Sequence, residues 1–120
     1  MMHQSIKPAV VFLMMALVSS LSRAEFLSVA DLSEYFDALH RTGTDEIRDG
    51  DWQKVATLQG FVMGVSDSVR DVRFCAPKGT SLGKMIEVTD DYIAANPELW
   101  DRPAVGVTIK ALSSAYPCKK

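Results

Sequence analysis

Residues 51–71 read DWQKVATLQGFVMGVSDSVRD, and their spacing decides the fold class. Trp52, Val55, Leu58, Val62, Val65 and Val69 advance by threes and fours, the interval that lines up side chains on one face of a helix. A strand would alternate every second residue, and no stretch of the chain does so for long enough to claim one. The segment therefore predicts a helix from about Asp51 to about Asp71. Gly60 and Gly64 fall inside it, four apart and so on one face. A mid-helix glycine costs about 1 kcal/mol relative to alanine. A pair at this spacing offsets that cost by letting another helix come close, either within the chain or at a dimer contact. Charges at Lys54, Asp67, Arg70 and Asp71 exclude a membrane-spanning reading of the same spacing.

Helical spacing continues on both sides. Towards the N-terminus, Ser28 suits a helix cap, Val29, Leu32, Phe36 and Leu39 share one face, and Gly43 follows the end. The polar run RTGTDEIRDGD, residues 41–51, reads as a loop. Towards the C-terminus, Pro77 and Gly79 break the chain, and Thr80 or Ser81 caps a third helix carrying Leu82, Met85, Ile86, Thr89, Tyr92 and Ile93. Asn96-Pro97 ends it, since the residue before proline avoids the helical region. After Glu98-Leu99-Trp100, Asp101 as cap and Pro103 in the first turn open a fourth helix with Ala104, Val107, Ala111, Leu112 and Ala115, which stops at Pro117. The expectation is an all-α protein, a compact bundle of about four helices.

The first residues have a different character. Lys7, an apolar run from Ala9 to Leu21 and small residues at Ser22 and Ala24 form the three regions of a secretory signal. The apolar run, about 13 residues, is shorter than the roughly 20 that span a bilayer, which favours a cleaved leader at 1–24 over an uncleaved anchor. Residues 25–120 then form one mature domain, exported and without a membrane segment. Of the 13 basic residues, Lys7 and Arg23 lie in the leader, so 11 remain against 15 acidic ones and the net charge is near −4. Nucleic acid is excluded as a partner, because binding it requires a basic face. Cys75 and Cys118 are the only cysteines, and in an oxidising compartment an even pair forms a disulfide.

Catalytic chemistry is hard to assemble. His40 is the mature chain's one histidine, placed near a helix end where it complements the dipole. It gives no metal-ligand set, so no metal or other cofactor is expected. A disulfide leaves no thiol nucleophile, and neither a nucleophile elbow nor a phosphate loop is present. Asp90 and Asp91 are consecutive and point to different faces, which reads as a solvated patch. The chain reads as a binding protein with no catalytic residues.

Two stretches carry a resemblance: LQGFVMGVSDS, residues 58–68, and FCAPKGTSLGKMIEVTDDYIAANP followed by AVGVTIKALSSAYPC, residues 74–97 and 104–118. Gly60, Phe61, Gly64, Val65 and Asp67 match a G-[YF]-x-x-G-V-x-D helix. Cys75, Pro77, Gly79 and Ser81 match C-x-P-x-G-x-[ST]. Tyr92, Ile93, Asn96 and Pro97 match a helix ending Y-[LI]-x-x-[NH]-P, and Ala115, Pro117 and Cys118 match the closing element. In this order they resemble the Rap/Tai family of immunity proteins, which protect bacteria from peptidoglycan amidase toxins delivered by type VI secretion. Many members carry two further cysteines, at positions here filled by Phe36 and Leu58. That alignment implies both side chains are buried and close together.

The resemblance implies a periplasmic protein, a homodimer, that binds a secreted amidase effector and covers its catalytic cleft. Such a surface needs a few large anchors ringed by polar groups. Glu98, Leu99, Trp100, Asp101 and Arg102 have that composition, although Trp100 could equally fold inward as a lid. The loop from Ala76 to Thr80, with Lys78 at its centre, is a second candidate. Asp67 reads either as an internal hydrogen-bond partner, the reading favoured here, or as an effector contact. HdeA-like periplasmic acid-stress chaperones, also small, helical and held by one disulfide, are the alternative reading.

Overall fold

The computed structural model describes residues 26–119, so the leader assigned to 1–24 lies outside the described residues. Four α-helices follow in order: α1 Val29–Arg41, α2 Asp51–Val69, α3 Leu82–Ala95 and α4 Ala104–Ala115, with a short 3-10 turn, Pro97–Leu99, between the last two. No strand is present among these residues. The all-α bundle read from the spacing is the architecture found.

Two of the helix starts, those of α1 and α3, have a local side-chain cause. At α1, Ser28 Oγ accepts from the Asp31 amide while Asp31 Oδ2 accepts from the Ser28 amide, a reciprocal capping box. Ser81 caps α3 by accepting from the Lys84 amide at 3.1 Å, whereas the Thr80 hydroxyl turns back to the Pro77 carbonyl. The Asp101 cap expected for α4 is not found: Pro103 occupies that position, without a side-chain cap. The first α4 amide is instead satisfied by Leu27, through Ala104 N donating to its carbonyl at 2.8 Å. The chain entering α1 thus does what a capping side chain would have done.

α2 has no side-chain cap either, and starts after Gly50, whose φ of 84° favours glycine. Its first residue, Asp51, is buried. The carboxylate accepts from the Arg48 amide and takes both prongs of the Arg41 guanidinium, at 2.7 and 2.9 Å. These hydrogen bonds, the Arg41 pair foremost, hold the Asp51 carboxyl far below the usual carboxylate range. What reads in the sequence as a polar loop is closed at its base by a buried ion pair.

The core is one cluster drawn from all four helices: Val29, Leu32 and Phe36 from α1, Leu58 and Val62 from α2, Met85, Ile86 and Ile93 from α3, and Ala104, Val107 and Leu112 from α4. Phe36 and Leu58 are both buried in it, on helices packed against each other. Trp52, expected on the buried face, is 65% exposed. It points away from the face on which its neighbours Asp51 and Val55 are buried.

The α2–α3 connection is tied at several points. Asp71 adopts a positive φ of 61°, its amide donates to the Phe74 carbonyl, and Phe74 is driven into the core with no exposed surface. Immediately after it, Cys75 is bonded to Cys118, with their Cα atoms 4.8 Å apart. The Cys75 amide also donates to the Tyr116 carbonyl, and Ser113 Oγ donates to the Arg73 carbonyl. The end of α4 is therefore fastened to the end of α2, as the cysteine arithmetic predicts.

Candidate binding surface

The segment after α3 presents Trp100 to solvent. The residue is 58% exposed and stands at one side of a cleft of about 180 Å³ walled by Val29, Ser33, Ile93, Asn96 and Pro97. The inward-lid alternative is thereby corrected: a covering tryptophan would have lost most of its exposure. Glu98, Asp101 and Arg102 are exposed around it, and Leu99 is half-buried against the core. The backbone under this group is fixed. Ala30 N donates to the Trp100 carbonyl, Val29 N to the Arg102 carbonyl and Arg102 N to the Leu99 carbonyl, all within 3.0 Å. Asn96 closes the turn by donating from Nδ2 to the Tyr92 carbonyl, which gives Asn96 of the motif a structural task. An exposed aromatic on a backbone pinned by the first turn of another helix is pre-organised, and little ordering entropy is lost on contact.

Lys78 is not part of this group. It is exposed in the loop before α3, while Trp100 follows the end of α3. That helix has 14 residues, a length of about 21 Å. The two candidates named from the sequence are separate places on the surface.

Gly60 and Gly64 face outward. A Cβ added at either would meet nothing within 4 Å, so among the described residues no helix uses the close approach expected of them. They line instead an open groove of about 410 Å³ between α2 and α4, with Phe61, Val65, Val105 and Ile109 as its apolar walls. Val105 is 46% exposed there. Gly79 and Pro77 shape the disulfide-pinned loop, where Gly79 has a φ of 88°, and Pro117 precedes the bridged Cys118.

Asp67 is also exposed, which corrects its reading as an internal hydrogen-bond partner. Asp90 departs from expectation in the other direction. It receives His40 Nε2 at 2.6 Å across the α1–α3 contact, so only Asp91 of the pair is a free solvated carboxylate. Two of the ion pairs between helices, His40–Asp90 and Arg41–Asp51, originate at the end of α1, and a third joins Lys54 of α2 to Glu34 of α1; none was legible from spacing. Among the described residues no group of three or more histidine, cysteine or acidic side chains could hold a metal, and no helix is long and apolar enough to cross a membrane.

No curated protein and no solved structure matches the chain. The family model described as Rap1a immunity proteins matches residues 28–118. That span begins at the serine that caps α1, takes in all four helices and ends at the second cysteine of the disulfide. The chain belongs to the family of Rap1a immunity proteins.

Proposed function

We propose that this chain is a periplasmic immunity protein, exported by the leader at residues 1–24, that neutralises a peptidoglycan amidase delivered by type VI secretion. The observation that carries the reading is the family match over 28–118, and the arrangement around Trp100 supports it. The action is steric rather than catalytic. Trp100 enters the amidase's cleft, where an aromatic anchor loses its water on both faces. Glu98, Asp101 and Arg102 form the polar rim that excludes solvent and sets register. Rigidity is essential, because a plug that reorders on contact forfeits affinity to ordering entropy. The Asp51–Arg41 pair supplies it at the start of α2, the disulfide just beyond the end of α2, and the α1 amides supply it under Trp100.

The protein acts as a homodimer in this reading, with the glycine face of α2 as the contact between copies. The uncovered pair Gly60 and Gly64, flanked by apolar walls, supports that assignment. Co-expression is the test. Cells exporting the amidase to the periplasm survive when this protein is exported with it and lyse when it is absent. Lysis in both cases refutes the reading.

A further inference from the structure

On the side of α2 away from the glycine groove is a smaller one, about 190 Å³, walled by Met63, Asp67, Arg70, Leu82 and Met85, with Ser66 also lining it. Ser66 is 2% exposed, and its hydroxyl has no hydrogen-bond partner. Other helical hydroxyls here, those of Thr57, Ser68 and Thr89, bond to the carbonyl four residues back. An unpartnered buried hydroxyl costs free energy; Thr108 on α4 carries the other one among the described residues, and the one on Ser66 belongs to a residue that lines this groove. Above it, Arg70 forms no ion pair among the described residues, and its Nη2 lies 3.8 Å from Met85 Sδ, so the guanidinium rests over the apolar wall.

We propose that this groove is a second anchor pocket for the effector and receives one phenol side chain, a tyrosine. The inference rests on the immunity reading for the identity of the partner. Each wall selects for that chemistry. The thioethers of Met63 and Met85 favour contact with an aromatic ring and are flexible enough to part around it. The Arg70 guanidinium stacks on the ring face. Ser66 Oγ is covered in the unbound protein; once Met63 and Met85 part, the ring's hydroxyl reaches it, and an aliphatic or plain phenyl side chain would leave it unpaired. Asp67, exposed at the rim, accepts a backbone amide of the incoming strand. The pocket lies beside the disulfide-pinned loop that carries Lys78, and so at the far end of α3 from Trp100. Two anchors separated by a helix length fix the orientation of a partner, which one anchor cannot do.

The pocket can be probed without the effector. In a titration of the mature, disulfide-bonded protein with p-cresol, followed by amide chemical shifts, the perturbed residues are Met63, Ser66, Asp67, Arg70 and Met85. Toluene, which lacks the hydroxyl, binds more weakly. Ser66→Ala weakens p-cresol by about fivefold, to the level of toluene, and Arg70→Gln weakens both probes. Absence of localised shifts, or equal p-cresol affinity in Ser66→Ala, overturns the pocket. The Ser66→Ala protein folds at least as stably as wild type, because the lost hydroxyl had no partner. With the amidase as ligand, Ser66→Ala and Arg70→Gln each weaken the complex by about fivefold or more. A wild-type complex left unchanged by both variants overturns the effector's use of the pocket while leaving the immunity function intact. A wild-type protein that binds no amidase removes the immunity function, and with it the effector as occupant.

Discussion

Replacing both bridged cysteines, Cys75→Ala with Cys118→Ala, tests how this small domain stays rigid. The bridge joins residues 43 apart in sequence. In the chain-entropy model a closed loop of that length removes about 13 cal/mol/K from the unfolded ensemble, or about 4 kcal/mol at 25 °C. The folded junction changes little, because the Cys75 amide to Tyr116 carbonyl and Ser113 to Arg73 bonds hold the same two segments together. The loss therefore falls on the unfolded side. For a domain of this size, 1 kcal/mol corresponds to about 4–8 °C, which places the melting temperature of the double variant about 16–30 °C below wild type. Differential scanning calorimetry reads this directly. Urea titration should also show a steeper dependence on denaturant, since the uncrosslinked chain exposes more surface when unfolded. A fall of less than about 5 °C, or an unchanged urea slope, refutes the view that the bridge acts by constraining the unfolded chain.

Three further outcomes follow from other parts of the fold. Asp51→Asn lowers the melting temperature at neutral pH. Because the Arg41 pair depresses the Asp51 carboxyl, its contribution is full above the unfolded value of about 4 and is lost as pH falls below it. The gap between wild type and variant therefore narrows between about pH 5 and pH 2, and a gap independent of pH contradicts the pairing. Gly60→Ala and Gly64→Ala each raise monomer stability by about 0.5–1 kcal/mol, since the added methyl meets nothing, yet weaken self-association in sedimentation velocity; unaltered association argues against this face as the dimer contact. Trp100→Ala shifts the melting temperature by no more than about 2 °C, because the ring is mainly exposed. It weakens amidase binding by about 2 kcal/mol or more, and an unchanged binding isotherm removes Trp100 from the interface.

Much of the architecture was legible because apolar spacing and capping chemistry are local. Val55, Leu58, Val62 and Val65 announce α2, and Ser28 and Ser81 announce the starts of α1 and α3. Phe36 and Leu58 were placed in the core by their alignment with cysteine positions, and the packing agrees. What escaped was non-local. Asp101 looked like a cap because aspartate usually is one before a helix, but Leu27 arrives from 77 residues earlier in sequence to take the amide of Ala104. Arg41 and Asp51 bound a stretch that looks like solvated loop, and only the fold reveals that they close it. Burial of Phe74 depends on the positive φ at Asp71, a residue type that tolerates it but does not announce it. The two binding candidates were legible as composition, and the helix read between Lys78 and Trp100 is α3; the exposure of Trp100 was not legible. Ser66, inside the family motif span, had no sequence signal, since an unpaired hydroxyl is visible only once its neighbours are known.

The most direct measurement is a calorimetric titration of the mature protein into a candidate peptidoglycan amidase effector, with hydrolysis of peptidoglycan followed in the same mixtures. A saturable complex well below micromolar dissociation constant, with hydrolysis falling in step with occupancy, is the expected result. Undiminished hydrolysis, or no heat of binding at micromolar concentration, would contradict the claim that this bundle disarms an amidase by occupying it.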